Sequence, residues 1–389
     1  MRPDEYLSPA AGRFVDIGGG FHAFVPAAVP RELSLPPRLV RQLAETRARL
    51  GRLNEGVRSL PSPELFLRPF QKREAVLSSR IEGTVTTLEE AFVNAAVAAD
   101  EQLVDDDREV ANYERALRTG VEALATGRTL NVSLLQALHQ ELLRGVRGAD
   151  KQPGRIRTTQ AFVANRTVAT PEDARFVPPP PIQLPDCLED LDRFLGERGP
   201  DEGLVRVALA HYQFETIHPF ADGNGRTGRL LVALQLVWEG VLDQPFLYVS
   251  PHLERRRQEY YDGLLRVGQQ GSFLAWVEFF VDVVATSAAE TLDRLARLRA
   301  LAVDFEIALR RQQSIKPLQL ARQLLGMPYL TVAMAKQALG VRTMPTAQNA
   351  ADRLVAAGIL ELVDFRAVTK RGRPARLYRC KAVLDIVQE

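Results

Sequence analysis

From Pro37 onward the apolar residues of this chain recur at helical rather than alternating intervals. Leu39, Leu43, Leu50 and Leu53 fall near one face of a first helix. The run "LPSPELFLRPFQKREAVLSSRIEGT" predicts a second, with Leu67, Phe70, Ala75 and Leu77 on its apolar side and Gly83 as its stop. Thr87 and Glu90 stand in the spacing of a capping box and open a third. Residues 108–126, 131–144, 184–197, 203–217, 252–268 and 272–312 carry further helical patterns. In "LLVALQLVWEG", Leu230, Leu231, Leu234, Val237 and Trp238 make a wide apolar stripe.

Two stretches break this rhythm. Residues 1 to about 35 are rich in Pro and Gly and lack periodicity, which predicts an irregular arm. The segment "GRIRTTQAFVANRTVATPEDARFVPPPP" (154–181) alternates and carries β-branched residues. It predicts a β-hairpin over 156–177, turning near Asn165 and Arg166, with prolines 178–181 extending from it. After "KPLQ" the texture changes again, and the remaining residues read as a separate small domain. There "TVAMAKQALG" and "MPTAQNAADRLVAAGIL" are two helices, the second capped by Thr346. "LELVDFRAVTKRGRPARLYRC" then alternates like a two-stranded ribbon.

Composition narrows the class. A chain of 389 residues is long enough for more than one domain with a sizeable core. Its net charge of +2 removes any global polycation argument for nucleic acid. Cys187 and Cys380 are far apart and lack metal-ligand spacing, which argues against a disulfide framework or a zinc site. Neither a leader-like N-terminus nor an apolar run of membrane length is visible, so the expectation is a cytoplasmic chain with no membrane contact.

The densest chemistry lies in "HPFADGNGRTGR", His218 to Arg229. It sits between two helical patterns and is therefore a loop that becomes a helix N-terminus. Gly223 and Gly225 allow positive φ and leave backbone N–H groups uncovered, an anion-binding nest in front of a helix dipole. Arg226 and Arg229 are three residues apart on neighbouring parts of one helical face, and guanidinium groups suit phosphate oxygens. Asp222 beside a phosphate site makes sense with an intervening cation, and Mg²⁺ takes one or two protein carboxylates plus phosphate and water. His218 titrates near neutral pH and suits a general base. "GNGRTG" also has dinucleotide-fingerprint spacing, but a helix precedes it where that motif needs a strand.

This stretch resembles the signature of the Fic family, His-Pro-Phe-x-Asp-Gly-Asn-Gly-Arg-x-x-Arg, at every fixed position. "ARFVPPPP" resembles the end of the Fic flap and "LYVSPHLERRRQEYYDGLL" the helix after the motif, so the likeness covers roughly residues 60 to 290. The resemblance implies a mainly α fold: a Fic-type helical core with a β-hairpin flap. It also implies transfer of AMP from ATP to a Ser, Thr or Tyr hydroxyl of a target protein. In that scheme His218 deprotonates the hydroxyl and Asp222 holds Mg²⁺. Gly223, Asn224, Gly225, Arg226, Thr227 and Gly228 line the nucleotide phosphates, and Arg229 meets the γ-phosphate. Tyr261 matches a position beside the adenine, while the position seven residues further, often Asn in relatives, is Gly268 here.

"SSRIEGT" resembles the family's inhibitory pattern Ser/Thr-x-x-x-Glu-Gly/Asn, with Ser78, Glu82 and Gly83 at the fixed positions. That implies self-inhibition by Glu82 pairing with Arg229. The target docks on the flap by β-augmentation, self-modification and a homodimer are further expectations, and some relatives run the reverse reaction, de-adenylylation. The C-terminal segment resembles a winged helix-turn-helix. From Arg366 to Lys381 it holds Arg366, Lys370, Arg371, Arg373, Arg376, Arg379 and Lys381 with no acid, a footprint for DNA or for a protein contact. The expected layout is 1–107 for the arm and inhibitory helices, 108–290 for the catalytic core, 291–324 for a linking helix and 325–389 for the winged-helix domain. Transfer of UMP, phosphate or phosphocholine, and a DNA-binding regulator with a nucleotide-sensing core, are the competing expectations.

Overall fold

The computed structural model describes residues 5–6, 8–97, 105–163, 174–197, 203–312, 314–363 and 376–389. Helices dominate. In chain order the elements are β1 (Gly12–Asp16), β2 (His22–Pro26), α1 (Pro37–Arg58), α2 (Pro63–Ile81), α3 (Leu88–Val97), α4 (Asp105–Ala125), α5 (Val132–Leu142), α6 (Leu184–Gly196), α7 (Gly203–Ile217) and α8 (Asn224–Trp238). There follow α9 (Ser250–Arg255), α10 (Arg257–Gln270), α11 (Phe273–Leu309), α12 (Lys316–Leu324), β3 (Tyr329–Thr331), α13 (Val332–Ala338), α14 (Met344–Ala356), β4 (Glu361–Val363), β5 (Leu377–Arg379) and α15 (Lys381–Gln388). The chain divides into two compact units, Met1–Arg52 with Ala111–Ala288 and Leu53–Val110 with Ala289–Glu389.

The first unit is built around α7. Every residue of this helix except Arg206 and Glu215 is buried, as expected of a helix packed on all sides. α8 returns against it and buries an almost continuous run from Arg226 to Leu236. The small residues that allow this approach include Gly228, where an added Cβ would overlap the Glu215 carboxylate. Inside the bundle the Trp276 indole N–H donates to the Ala208 carbonyl at 2.7 Å. α5 starts at Asn131, whose side chain accepts the Leu134 N–H at 2.8 Å.

The N-terminal arm is not irregular. β1 and β2 form an antiparallel hairpin, and the Phe24 N–H continues outward to the Val177 carbonyl at 2.9 Å. Gly18, Gly19 and Gly20, all left-handed, close its turn. Neither "GRFVD" nor "HAFVP" alternates, and five-residue strands beside a glycine run give too short a window to register. Of the hairpin expected over 156–177, the tip lies outside the described residues. Its stems meet in an antiparallel bridge, Val163 to Phe176. The helix expected at 252–268 is two, because the chain breaks at Arg256.

In the second unit, β3, β5 and β4 form a three-stranded antiparallel sheet in that order. Phe92 and Val93 of α3 share a hydrophobic core with Tyr329, Leu377 and Leu384. Segments that sequence alone assigned to an N-terminal and a C-terminal region therefore fold on one core. The capping box forms as expected: Glu90 N–H donates to Thr87 Oγ1 at 3.2 Å and Thr87 N–H to Glu90 Oε2 at 2.8 Å. Thr346 does not cap α14. The N-cap is Thr343, because Pro345 sits in the helix's first turn, where its missing N–H is no loss, and this moves the start forward. The basic residues Arg366, Lys370, Arg371 and Arg373 lie outside the described residues. Arg376, Arg379 and Lys381 pair with Asp352, Glu361 and Asp385, which locally neutralises that end of the ribbon.

Candidate active site

α7 ends at Ile217, and the next residue leaves helical space altogether: His218 has φ 51°, rare for a residue with a side chain. Its N–H still donates to the Phe214 carbonyl at 3.0 Å, the last helical bond. Its ring Nδ1 lies 3.3 Å from the Glu215 carbonyl. With the proton on Nδ1 donated there, Nε2 is left as the acceptor, the state a general base needs. The side chain is half-buried.

The loop folds back through its own side chains. Asn224 holds both sides of Phe220: its Oδ1 accepts the Phe220 N–H at 2.9 Å, and its Nδ2 donates to the Phe220 carbonyl at 2.8 Å. Thr227 Oγ1 donates to the Gly223 carbonyl at 2.9 Å. The side chains of Asn224 and Thr227 thus maintain the loop; the Thr227 N–H also goes to the Gly223 carbonyl, at 3.1 Å, whereas Asn224, at the start of the helix, can offer an anion its backbone N–H. Gly223 caps α8 in the left-handed region at φ 75°. Gly225 does not use positive φ; it lies in the first turn of α8, where it keeps the backbone uncovered.

Arg226 and Arg229 are both almost wholly buried, at 1% exposure each. Two guanidinium groups inside the wall of a helix N-terminus make a strongly anion-seeking corner. Asp222 is more open, with its Oδ1 accepting the Gly223 N–H at 2.6 Å and Arg226 Nη2 3.8 Å away. Its Oδ2 faces Gly148, where a Cβ would stand 2.8 Å from it. A single carboxylate with one oxygen tied and the other beside a residue without a side chain fits Mg²⁺ completed by phosphate and water. Among the described residues no cluster of three or more His, Cys, Asp or Glu competes for a metal.

Two residues outside the motif hold it, and sequence reasoning passed over both. His139 of α5 is buried and stacks on Phe220, ring centroids 3.8 Å apart and 7° from parallel. It accepts the Gly154 N–H on Nδ1 at 2.8 Å, so Nε2 carries the proton and donates to the Asp222 carbonyl at 2.8 Å. Burial drops its pKa to about 4, and it stays neutral. The sequence signal was a histidine on an apolar stripe with Leu135, Leu138 and Leu142. Arg157 is the second; its Nε donates to the His218 carbonyl at 2.8 Å. His211, also buried, bonds the Tyr260 hydroxyl at 3.0 Å, and burial lowers its pKa to about 3.

Tyr261 lies on α10 beside the flap stem. Its ring has Arg175 at 5.8 Å and Arg257 at 5.7 Å, and Arg175 also pairs with Asp262. Gly268, two turns further along the helix, leaves space that the arm fills: a Cβ there would stand 3.2 Å from Tyr6 and 3.4 Å from Phe24. The departure from Asn thus has a packing reason. Ser78, Glu82 and Gly83 belong to the second unit. Ser78 is buried and Glu82, half-buried, is the C-cap of α2. Gly83 has φ 97°; its N–H donates to the Arg80 carbonyl at 2.9 Å, and the Thr84 N–H to the Ser79 carbonyl at 3.2 Å, a Schellman ending.

Residues 129–236 match the model of the Fic/DOC family, and residues 40–122 match that of the Fic/DOC family N-terminal region. The chain carries a Fic/DOC domain preceded by a Fic/DOC N-terminal region. Among curated relatives, protein adenylyltransferase Fic of Drosophila ananassae is 26% identical over 206 residues, 52% of this chain and 38% of that protein. Protein adenylyltransferase fic-1 of Caenorhabditis elegans is 31% identical over 174 residues, 41% of this chain and 30% of that one. This Fic chain therefore aligns with well under half the length of either. A solved Fic family protein from Desulfovibrio desulfuricans G20 superposes with TM-score 0.56 at 24% identity, covering 90% of this chain and 98% of that one. Fic-1 (residues 134–508) of Caenorhabditis elegans gives TM-score 0.50 at 20% identity, covering 67% and 74%. These likenesses establish the Fic fold. Among the described residues no helix is long and apolar enough to cross a membrane.

Proposed function

We propose that this protein is a protein adenylyltransferase that moves AMP from ATP to a hydroxyl side chain of a target protein. The observation that carries the reading is one loop. It sets a base-competent imidazole, His218, four residues before a carboxylate and directly ahead of a helix N-terminus walled by two buried arginines.

The target hydroxyl gives its proton to His218 Nε2 as its oxygen attacks the α-phosphorus. The new O–P bond forms, the bond between the α-phosphorus and its bridging oxygen breaks, and pyrophosphate leaves. Backbone N–H groups at the start of α8, with Arg226 and Arg229, receive the charge on the phosphates. Asp222 would hold Mg²⁺, which when bound neutralises phosphate charge and orients the leaving group. Tyr261 would line the adenine side. The flap stems carry a target segment by β-augmentation, and the protein itself is one candidate target.

Glu82 supplies self-inhibition in this proposal. Its carboxylate occupies the Arg229 guanidinium needed by the γ-phosphate, and ATP then takes an unproductive pose. The Schellman ending supports the assignment, because it fixes where Glu82 leaves the helix.

The test uses wild type, Glu82→Gly and His218→Ala with Mg²⁺ and ATP labelled on either the α- or the γ-phosphate. The expected result is α-label on protein, strongest in Glu82→Gly and lost in His218→Ala. Transfer of γ-label would replace adenylyl with phosphoryl transfer, and labelling by a different nucleotide would replace the donor.

A further inference from the structure

Arg157 is 5% exposed, a position where an arginine is normally matched by a carboxylate. Here it is not. Among the described residues, every hydrogen bond of its side chain ends on a main-chain carbonyl. Nε donates to His218 at 2.8 Å, Nη1 to Thr159 at 3.0 Å, and Nη2 to Pro179 at 2.6 Å with a longer approach to Ile217 at 3.4 Å. Its own backbone N–H donates to the Pro219 carbonyl at 2.9 Å. One residue thus grips three consecutive residues, 217 to 219, where α7 gives way to the left-handed His218.

A charge buried among carbonyls is an expensive way to fill space, and an apolar residue of the same volume would pack as well. Burial lowers the pKa of Arg157 to about 10, which leaves it charged at neutral pH. What the guanidinium provides is geometry. Its planar fork presents donors in fixed directions, and the carbonyls it takes come from three chain segments. The His218 carbonyl is the one whose direction changes when φ leaves the left-handed region. A residue strained in this way persists only when its surroundings over-determine it.

We infer that Arg157 is a positioning residue for His218. Its bond to the His218 carbonyl holds the left-handed backbone that aims the imidazole, and its bonds to Thr159 and Pro179 tie that backbone to the first stem of the flap and to the proline segment that follows the second. The base and the edge that carries the target segment then share one anchor, and hydroxyl and Nε2 meet in register. Phosphate binding is untouched, since none of these bonds involves residues 222 to 229.

The inference rests on His218 being the base of the proposed transfer, and the experiment separates the two. Arg157→Gln and Arg157→Lys are made in the Glu82→Gly background, with thermal melting to establish folding and ATP titration to count competent sites. Transfer is then measured per ATP-binding site. The expected result is a fall in kcat on the order of 100-fold in Arg157→Gln, with KM for ATP changed by less than about twofold. Arg157→Lys, which keeps the charge and can reach one carbonyl, recovers part of the loss. The imidazole ¹H–¹³C signal of His218 also moves in Arg157→Gln, a readout that needs no transfer activity. If the parent transfers nothing, the proposed reaction fails while this signal still judges Arg157. An unchanged His218 signal, an unchanged kcat per binding site, or loss of folding in both variants overturns the inference and leaves Arg157 a packing residue.

Discussion

The loop from His218 to Arg229 and the end of α2 at Glu82 are mirror images in their electrostatics. Each is a polar turn at a helix terminus that depends on a left-handed glycine, Gly223 at φ 75° and Gly83 at φ 97°. The first opens a helix and gathers N–H groups and two buried arginines, a corner of positive charge. The second closes a helix, satisfies its last carbonyls by Schellman bonds and carries a carboxylate at the cap. They also differ in how they are held. The end of α2 is fixed by the backbone bonds of Gly83 and Thr84 to Arg80 and Ser79, and Thr84 Oγ1 also donates to Glu109 Oε2 at 2.7 Å. The loop is fixed in part from afar, by His139 and Arg157, 83 and 61 residues from their partners. In the proposed scheme the turn needs only to present one group, whereas the loop must aim several.

The comparison breaks first at His218. His218→Ala removes the base, and adenylyl transfer falls by about 10²- to 10⁴-fold, measured by α-label incorporation at saturating ATP. On the other side, Glu82→Gly raises transfer about 10- to 100-fold, the equivalent of one charged hydrogen bond removed from Arg229. Unchanged transfer in that variant removes the pairing from the account.

The distant supports of the loop give smaller effects. His139 is held neutral, with a folded pKa of about 4 against an ordinary value of 6.5. Between those values the unfolded chain binds the proton and the folded chain does not, so stability is fully present above the ordinary value and is lost as pH falls toward the folded one. Urea titrations across this range should show a loss on the order of 2–3 kcal/mol that His139→Gln flattens. His211, with a folded pKa of about 3, adds a fall of the same sign. Asn224→Ala strips both amide bonds from Phe220 and destabilises by roughly 2 kcal/mol, read by the same denaturation. The smallest effect belongs to the local side: Gly83→Ala forces a Cβ into a left-handed cap and costs about 1 kcal/mol.

Periodicity made most of the helical fold legible, because a stripe such as Leu39, Leu43, Leu50 and Leu53 encodes its own burial. The capping box at Thr87 and Glu90 was readable for the same reason, since both partners lie within one turn. The motif's residue types alone pointed to a candidate base and a candidate anion corner. What stayed hidden depends on partners remote in sequence. Nothing local announces that Arg157 meets the His218 carbonyl, or that His139 lies under Phe220. The β1–β2 hairpin was hidden by brevity, and its pairing with Val177 by distance. The role of Asn224 was only half visible: it stands in the motif expected to bind phosphate, yet its amide closes the loop on Phe220.

The most direct test of the central claim is intact-mass analysis of Glu82→Gly protein incubated with ATP and Mg²⁺, beside the double variant that also carries His218→Ala. The account predicts an adduct with the mass of one adenylyl group on a hydroxyl residue in the first sample and none in the second. An adduct with the mass of phosphate, or an adenylyl adduct that persists without His218, would contradict it.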